Sequence, residues 1–584
     1  MKKIVYLVLM SAQIAAGCSK DEIQVPESTV APVPEITEDD QESNTVFTRT
    51  ITVVFSDQDG ATVTGDENGI VTVNGNQVTV DNTAYDETVR YELSGSSSNG
   101  FFKLYSNNRQ EVVLNGLALT NPNGAALNNQ GKKRCYLVVN GTNKLADSAS
   151  ATYSTADDED MKAVLFSEGQ MLVSGSGQLT VEALNAQSKS AITTDDYLYI
   201  SETPVLTVNA GSKAGHGVRG KDYVRIAGST LKVTTQAAMK KGINSDGFVL
   251  VEDGDITVNV SGGTAYDSED KEYAGSAGVK ADHYFGMTGG TLTITNTGAG
   301  GKGIRAGNYD YYAENGGLSD SYITGGTLTV STTGSESNGV SSKGIKIGFK
   351  EGSGRSYLYG GSLLIGGGNI KVTCTKSEGV EAKGNLTIKD GQLYVTSSSD
   401  DAINCQGELN MTGGYVYCNS SGNDGIDSNG NMVLSGGYLF AITTKGTPEV
   451  AVDANTEGGY RLYIKSGATV VAYGGLENGY SAEQSVYSMS CTAGGWNALY
   501  GGSSYLAAFK VPSGISSVAV SAPSLSEGYK SVSVGETLCS GVWSADGISG
   551  GTAVSLSTYS GGQGGGPGGN PGFPGGPGGG GWPW

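Results

Sequence analysis

Histidine and cysteine are scarce in this chain, which has two His and seven Cys among 584 residues. Neither His216 nor His283 belongs to a Ser-His-Asp pattern, and no phosphate-binding loop or nucleic-acid module is present. The cysteines other than Cys18 match neither a zinc site nor a dense disulfide framework, so we interpret them as small inward-facing hydrophobic residues. These absences remove nucleic acid from the expected partners.

Apolar residues at the N-terminus form only a short run, Ile4 to Met10, which is too short to span a membrane. Two lysines precede it and small residues follow it, as in a secretory signal, so we predict a signal peptide at residues 1–17. The sequence up to Cys18 resembles the lipobox of bacterial lipoproteins, although Ala15 stands where Leu is usual. Cys18 is then the lipid-bearing residue; the alternative is an ordinary cleaved signal with an incidental cysteine.

The next segment, residues 18–44, is acidic and carries eight Asp and Glu against one Lys. Low hydrophobicity with high like charge does not support a core, so we predict a disordered tether. Its first residues, 19–22 (SKDE), resemble the export signal of Bacteroides-type surface lipoproteins. We therefore expect a protein held by lipid in the outer membrane and facing the cell exterior.

Repeats dominate the rest of the chain. Val380, Ile403 and Ile426 occupy one position in three similar segments and are spaced by 23 residues. Equivalent anchor residues, each a Val or Ile after Gly or Ala, recur at Val164, Ile192, Val218, Ile243, Val279, Ile304, Ile345 and Val452. A unit of about 25 residues, with insertions after the anchors at 243, 304 and 345, is typical of a stacked repeat architecture.

Each repeat holds short alternating runs bounded by Gly, Asn or Asp and is too short for helices. Equivalent strands of successive repeats would pair in parallel and stack their Val, Ile and Leu into one core. We therefore predict an all-β protein, a parallel β-helix or solenoid of about 11 to 13 coils. A propeller needs about 40 residues per blade, and a sandwich does not explain the recurring anchor.

The ends of the repeat array need covering, because an open strand edge invites pairing with other chains. We assign residues 45–160 to an N-terminal β cap with the first coils and residues 161–475 to the β-helix. Residues 476–560 are a C-terminal β region or cap, and residues 561–584 are a Gly/Pro-rich flexible tail.

Stacking would align side chains on both sides of the anchors into columns that are basic in early repeats and acidic in late ones. Two places before the anchors stand Lys241, Lys302, Lys343, Glu378, Asp401 and Asp424. One place after them stand Lys280, Arg305, Lys346, Glu381, Asn404 and Asp427. The total charge of −21 hides this segregation.

The acidic part of the columns predicts a cation site. Like charges about 4.8 Å apart repel by roughly 1 kcal/mol in water and roughly 3 kcal/mol at an effective dielectric constant of 20. Asp400, Asp401, Asp424 and Asp427 offer the oxygen ligands that Ca²⁺ prefers. The alternative is that these residues form turns and bond their own backbone.

The basic part predicts an anionic ligand, for example a polyuronate lying along the repeats. The residues that we assign to it are Lys241, Lys302, Arg305, Lys343 and Lys346. The alternative is a solvated face whose lysine stems cover apolar edges.

Several motifs resemble a bacterial family of calcium-binding, carbohydrate-binding β-helix proteins that is structurally related to family 9 polysaccharide lyases. They are DDAIN at 400–404, NDGIDSNG at 423–430, GVRGKDYVRIAGSTLKV at 217–233, the KGI segments and NGLALTN at 115–121. The resemblance covers about residues 45–475. It implies a right-handed parallel β-helix, bound Ca²⁺ and affinity for plant-type glycans such as polygalacturonate or cellulose.

Lyases of that kind hold calcium with Asp residues from neighbouring coils and use a lysine base. The Asp residues carry over to Asp401, Asp424 and Asp427, but neither Lys445 nor Lys465 can be placed beside the ion from sequence. We therefore interpret the chain as a surface lipoprotein, expected to be monomeric, that binds polysaccharide with Ca²⁺ without cleaving it. A polyuronate lyase and a surface adhesin are the alternatives. Tyrosines near the acidic repeats, Tyr415, Tyr417 and Tyr438, favour binding if their rings are exposed to sugar.

Overall fold

A computed structural model describes residues 30–561 of the chain except 33–34, 151, 154–158 and 354–355. The predicted signal peptide, Cys18 and the tail beyond residue 561 lie outside the described residues. Strands and turns make up nearly all of the described part, so the predicted all-β class is confirmed.

The first strands of the chain are β1 Arg49–Phe55, β2 Thr62–Thr64, β3 Val71–Asn74, β4 Gln77–Asn82, β5 Val89–Ser97, β6 Phe101–Ser106, β7 Gln110–Asn121, β8 Leu127–Asn129, β9 Cys135–Asn140 and β10 Thr142–Asp147.

The strands of the repeats follow as β11 Ala163–Ser167, β12 Met171–Gly175, β13 Gln178–Ala183, β14 Ser190–Thr194, β15 Leu198–Ile200, β16 Val205–Ala210, β17 His216–Gly220, β18 Tyr223–Thr235, β19 Lys241–Ser245, β20 Phe248–Val260, β21 Ala265–Asp267, β22 Glu272–Ala274, β23 Ala277–Ala281, β24 Phe285–Met287, β25 Thr291–Asn296, β26 Lys302–Ala306, β27 Ser321–Ile323, β28 Thr327–Thr332, β29 Lys343–Ile347, β30 Phe349–Ser353, β31 Ser356–Gly360, β32 Leu363–Cys374, β33 Val380–Ala382, β34 Leu386–Ser397, β35 Ile403–Cys405, β36 Leu409–Ser420, β37 Ile426–Ser428, β38 Met432–Thr443, β39 Val452–Ala454, β40 Leu462–Ile464 and β41 Thr469–Tyr473.

The last strands are β42 Ser481–Ala482, β43 Tyr487–Ser490, β44 Trp496–Gly501, β45 Ser504–Lys510, β46 Ser517–Ser521, β47 Leu525–Lys530, β48 Trp543–Ser544, β49 Thr552–Val554 and β50 Ser557–Thr558. A short α-helix, α1, spans Tyr309–Asn315, and 3₁₀ turns span Glu38–Asp40, Glu42–Asn44 and Thr456–Gly458.

Most of the described strands belong to two sheets, a large one of 26 strands and a second one of 15 strands. In the second sheet the order is β3-β4-β6-β8-β11-β14-β17-β19-β23-β26-β29-β33-β35-β37-β39, and from β4 onward successive strands pair in parallel. One strand of each repeat therefore enters the second sheet.

The alignment of the anchors is confirmed in this sheet, since Ile192 pairs with Val218 and the register continues without slip to Val452. The first predicted anchor is wrong by one residue: Leu165, not Val164, pairs with Ile192. All five residues of β11 are buried, because Ala163 and Phe166 pack with Met161 on the side that faces solvent in other repeats. The alternation that would have identified Leu165 is therefore missing.

The large sheet contains a closed ring of eight parallel strands, in the order β7-β9-β12-β15-β18-β16-β13-β10 and back to β7. The predicted right-handed parallel β-helix is therefore wrong: the protein has a closed eight-stranded parallel barrel together with sheets. The long strands β7 and β18 close the ring. The first half of β7 pairs with β9 and its second half with β10, and the first half of β18 pairs with β15 and its second half with β16. Gly116 takes φ +74° within β7, and the register of β18 shifts after Ile226. A repeat pattern read as separate short strands does not reveal such closure.

The three predicted insertions are present. The first is the hairpin β21–β22, the second contains α1, and the third is the hairpin β30–β31. Asn308 caps α1 by accepting a hydrogen bond from the Tyr311 N–H at 2.7 Å. Tyr309 and Tyr312 of this helix contact Phe349 of the third insertion, so the second and third insertions form one surface.

The end of the acidic segment that we interpreted as a tether contacts the folded body. Val30 pairs with Asp320 in an isolated parallel bridge, and Ala31 packs against the buried cluster that contains Leu250 and Tyr284. Further along, Asp40 binds Arg134 Nε at 2.7 Å and the hydroxyl of Tyr197. This part of the segment therefore runs along the side of several repeats.

The C-terminal region forms a five-stranded antiparallel sheet, in the order β48-β45-β44-β47-β49, that packs on the last repeats. Trp543 is fully buried between Phe440 and Phe509, and its indole N–H donates to the Val416 carbonyl at 3.1 Å. Cys491 and Cys539 are free and buried, as are the other described cysteines. None of the described helices has the length and apolar character that crossing a membrane requires.

We expect Trp543→Ala to detach the C-terminal sheet from the repeats, because it removes the largest buried side chain of their interface and one hydrogen bond. Loss of a buried Trp costs about 3–5 kcal/mol. Urea unfolding with limited proteolysis of residues 487–559 measures the effect, and Tyr460→Ala, at a side chain that is 44% exposed, is the control. Equal protease resistance of Trp543→Ala and the native chain would contradict this packing role.

Candidate functional site

The residue before each anchor of the second sheet is small for a steric reason. A Cβ at Gly242 would collide with Val258 Cγ1, and one at Gly303 would collide with Val330 Cγ1. Two successive residues, the glycine and the anchor, therefore face the core. The residues on either side of this pair, such as Lys302 and Arg305 of β26, consequently lie on the outer face. We call this outer face of β17 to β39 the charged face.

The predicted columns are confirmed in register on the charged face. The column after the anchors runs, strand by strand, through Arg219, Asn244, Lys280, Arg305, Lys346, Glu381, Asn404, Asp427 and Asp453. The basic and acidic halves meet where Lys346 pairs with Glu381.

Three lysines of the predicted ligand site, Lys241, Lys302 and Lys346, surround Arg305, and none of these four residues forms an ion pair in the described part of the chain. Burial, followed by the charge of Arg305, lowers the pKa of Lys241 and Lys302 to about 7 and that of Lys346 to about 8. Lys302 Nζ donates to the Gly300 carbonyl at 3.0 Å. We call these four residues the basic cluster; its mutual repulsion makes it receptive to an anion.

Lys343 differs from the other predicted ligand residues because its charge is already paired. Its Nζ lies 2.7 Å from a carboxylate oxygen of Glu378 and 2.7 Å from one of Glu381. Burial lowers its pKa, but the two carboxylates outweigh burial and raise it above the ordinary value. Lys343 therefore joins the basic and acidic halves of the charged face.

Three carboxylates of the predicted metal site lie close together. Asp427 is on β37, and Asp401 and Asp424 are in the turns before β35 and β37. The Asn404 amide donates to Asp401 Oδ2 at 2.9 Å and to Asp427 Oδ2 at 2.8 Å. The Asp424 N–H donates to Asp401 Oδ1 at 3.0 Å, and the Val450 N–H donates to Asp424 Oδ1 at 2.6 Å. Repeats that follow one another thus place one carboxylate above the next.

Burial raises the pKa of all three carboxyls. The pKa of Asp401 rises to about 8, and the charge of Asp427 adds to the effect of burial. The pKa values of Asp424 and Asp427 rise to about 7. Carboxyls in this arrangement resist ionising together, so at neutral pH they hold either protons or a cation.

Two further acids extend this group, which we call the acidic cluster and which comprises Asp401, Asp424, Asp427, Asp453 and Glu477. Burial and a hydrogen bond with Glu477 raise the pKa of Asp453. The sequence pattern places Asp453 in the column one residue after the anchors. Glu477 lies 25 residues after the last anchor and belongs to no repeat motif, so the pattern did not predict it. A one-residue bridge between Val452 and Leu476 brings it beside Asp453.

Asp400, also predicted as a metal ligand, lies at the edge of the acidic cluster. Burial and the neighbouring Glu378 raise its pKa, and Asn423 Nδ2 lies 3.5 Å from its Oδ1. Asp400 therefore interacts mainly with Glu378, one of the two acids that bind Lys343.

The donor set of the acidic cluster fits a hard cation in kind, because carboxylate and amide oxygens are the ligands that Ca²⁺ takes. In the ranges that the structure describes, no group of three or more His, Cys, Asp or Glu side chains is arranged as a ready metal site.

The three tyrosines that we considered for stacking on sugar pack against other parts of the protein: one is buried and two are half-buried. Tyr417 is buried, and Tyr415 and Tyr438, stacked at 4.6 Å, pack against the C-terminal sheet around Trp543. Their role is packing, which the sequence pattern did not separate from binding. Neither lysine considered as a base lies in the acidic cluster: Lys445 is exposed, and Lys465 Nζ binds Glu483 at 2.9 Å.

Comparison with known proteins gives two results. The solved structure of the polysaccharide lyase-like protein from C. thermocellum, a gadolinium derivative, is similar to part of the chain, with a TM-score of 0.35 and 19% identity over 44% of this chain and 95% of that one. No curated protein matches the chain. The family model of the carbohydrate-binding domain-containing proteins matches residues 74–353 and 358–506, which include the basic cluster and the acidic cluster. Since that match covers more than half of the chain, the chain belongs to the family of carbohydrate-binding domain-containing proteins.

Proposed function

We propose that this protein binds an anionic polysaccharide, of which polygalacturonate is the model, along the charged face. The observation that carries the proposal is the basic cluster: Arg305 and the three lysines around it, on strands β19, β26 and β29, with no salt bridge to any described residue. Clustered charges of one sign destabilise the folded chain unless a counter-charge is supplied. A carboxylate polymer lying across β19 to β29 supplies it repeatedly, which a small anion does not.

Calcium is the proposed second component, held by Asp401, Asp424 and Asp427 with Asp453 and Glu477 beside them. Raised pKa values and stacked carboxylates support this assignment, because a divalent cation removes the repulsion that otherwise keeps these groups protonated. An ion at this end of the charged face would also attract uronate carboxylates. The acidic half of the face would then bind the same polymer as the basic half.

The location proposed for the protein is the exterior of the outer membrane, with a lipid on Cys18 and the protein acting as a monomer. Its support is the signal-like N-terminus with Cys18 after small residues. A polysaccharide-binding face on the cell exterior meets polymers that cannot enter the cell.

A calcium-dependent polyuronate lyase is the second candidate, and Lys346 is the observation that favours it. Its pKa is lowered to about 8, and it pairs across strands with Glu381, next to Asn404 of the acidic half. A lysine of lowered pKa near a cation site has the property that a general base needs. Ultraviolet absorbance of unsaturated product distinguishes this candidate, and a rise that Lys346→Met abolishes would replace binding by cleavage as the function.

The calcium assignment predicts that Asp424→Asn with Asp427→Asn weakens both Ca²⁺ binding and retardation in a polygalacturonate gel. The loss should be about tenfold or more in Ca²⁺ affinity, because each variant removes a charged oxygen ligand. Calcium titration calorimetry and affinity electrophoresis, with and without chelator, make the measurement. Asp390→Asn is the matched control, since it removes one negative charge at an exposed position of β34 in the large sheet. Retardation that chelator and the double variant leave unchanged would rule out the calcium role.

The raised carboxyl pKa values predict how stability depends on pH in chelator. Between about pH 4 and pH 8 the folded protein holds protons on Asp401, Asp424 and Asp427 that the unfolded chain has released. Stability therefore falls as the pH rises through 7 to 8, and we expect the melting temperature to drop by at least about 2–4 °C between pH 5 and pH 8.5. Calcium should restore it at pH 8.5, where the carboxyls are ionised.

Thermal scans at both pH values, repeated with Asp424→Asn/Asp427→Asn, check this dependence. The double variant should flatten the difference between the two pH values in chelator. A change in melting temperature between pH 5 and pH 8.5 that is the same in the native chain and in the double variant would show that Asp424 and Asp427 do not hold protons in the folded protein.

The lipid anchor predicts that Cys18→Ser releases the protein from the membrane fraction. Cell fractionation and labelling with a radioactive fatty acid measure the change, with Cys135→Ser as the control because Cys135 is buried in β9. A labelled, membrane-bound Cys18→Ser variant would refute the anchor.

A further inference from the structure

A cleft of about 600 Å³ lies beside the early strands of the second sheet, at the end of the charged face remote from the acidic cluster. Strands β11, β14, β17 and β19 form its floor, and the hairpin β21–β22 with the turns before β11 and β19 forms its walls. Its lining includes Ser190, Thr193, Lys240, Lys241 and Tyr266. Its volume is within the range of small-molecule sites, and it is large enough for a short oligosaccharide.

Two hydroxyls in the floor of the cleft lack a hydrogen-bond partner in the described structure. Ser190 is 0% exposed and Thr193 is 7% exposed, yet neither Ser190 Oγ nor Thr193 Oγ1 is bonded. Leaving a buried polar group unbonded costs about 1–3 kcal/mol, and native proteins therefore keep few such groups. Both hydroxyls are available to a ligand that enters the cleft.

Some of the cationic side chains in the cleft are paired with carboxylates and others are not. Arg219 is bound by Asp195 at 3.2 Å and by Asp246 at 2.7 Å, and Lys189 lies 4.0 Å from Asp160. Lys240 and Lys241, in contrast, have no salt bridge with any described residue. The cleft therefore offers two adjacent unpaired ammonium groups.

His216, beside these lysines, does not supply a counter-charge. Its Nδ1 accepts a hydrogen bond from the Lys241 N–H at 3.0 Å, and burial together with the charge of Lys241 keeps its pKa well below the ordinary value. The imidazole is neutral and holds the backbone of Lys241 in place. Asp267 and Glu269 also line the cleft, but neither forms a salt bridge with Lys240 or Lys241, so a ligand anion can pair with both lysines.

An aromatic ring stands at the rim of the cleft. Tyr266 of β21 is 55% exposed and is supported edge-on by Tyr273 of β22, with ring centroids 5.4 Å apart. An exposed ring held by its neighbour is a suitable platform for the apolar face of a sugar. This ring is a more accessible stacking surface than the covered tyrosines near the acidic cluster.

We infer that this cleft binds the anionic end or a short stretch of an acidic saccharide, with a carboxylate or sulfate ester at Lys240 and Lys241. Sugar hydroxyls bond Ser190 and Thr193, and a sugar ring stacks on Tyr266. The inference rests on the proposed function and deepens it, because it assigns the acidic sugar a site that needs no calcium.

Titration calorimetry of the whole chain in chelator, with short oligosaccharides, tests the cleft apart from the acidic cluster. The probes are an oligogalacturonate, a sulfated galactan oligosaccharide and a neutral cello-oligosaccharide. We expect at least one anionic probe to bind at least about tenfold more tightly than the neutral one. The stronger of the two anionic probes identifies the group as carboxylate or sulfate ester.

Side-chain variants then locate the site. Lys241→Met should weaken binding of the anionic probe by about tenfold or more, because it keeps the length of the side chain and removes its charge. Thr193→Val removes the hydroxyl without changing shape and should weaken binding several-fold, and Tyr266→Ala should weaken it where Tyr266→Phe does not. Tyr357→Ala, at an exposed ring of the other hairpin, is the control for surface changes.

The inference is overturned if no anionic probe binds in chelator, or if Lys241→Met and Thr193→Val, folded by circular dichroism, bind it as the native chain does. The proposed function fails by a different observation, the absence of retardation in the polygalacturonate gel both with calcium and with chelator. Either claim can therefore be lost while the other stands.

Discussion

The contact between the small residue before each anchor and the Val or Ile behind it is the constraint on which the charged face depends. Gly242 against Val258 and Gly303 against Val330 leave no room for a side chain. An ordinary strand alternates between its two faces, so a single inward residue separates its outward ones. Here two successive residues point inward between two outward ones, and the regular register stacks the outward residues of neighbouring strands into dense columns of charge.

That density explains why ionisable groups on this face depart from their usual behaviour. Burial and the nearby charge of Arg305 lower the pKa of the lysines around it. Burial and the nearby charge of Asp427 raise the pKa of Asp401. Lys343 relieves the conflict only at the junction, through Glu378 and Glu381. A chain selected for stability alone would have alternated the two signs along the columns. Their segregation over several strands supports a role in binding charged ligands.

The sequence was sufficient for features that follow from periodicity. Anchors from Ile192 to Val452, the two columns and the three insertions were predictable because each repeat restates the same local pattern. The sequence was insufficient for features that depend on one strand pairing with two different neighbours or on contacts between distant segments. The closed barrel depends on β7 and β18 each pairing with different neighbours along their two halves, and a bend inside a long strand leaves little trace in hydrophobic alternation. The contact of Glu477 with Asp453 and that of Tyr438 with Trp543 join distant segments, for which no local signal exists.

The docked segment before β1 has a mechanical consequence. The described chain begins at Val30, beside Asp320, well inside the array of repeats, and continues along their side to the ion pair of Asp40 with Arg134. Tension applied through Val30 would act across the long dimension of the array and would break these contacts one after another, starting with the single bridge at Asp320. Sequential rupture needs less force than simultaneous rupture of the same bonds. The segment would thus lengthen under load before any strand of the sheets is pulled, which makes it a built-in extensible link between the repeats and whatever holds the N-terminus.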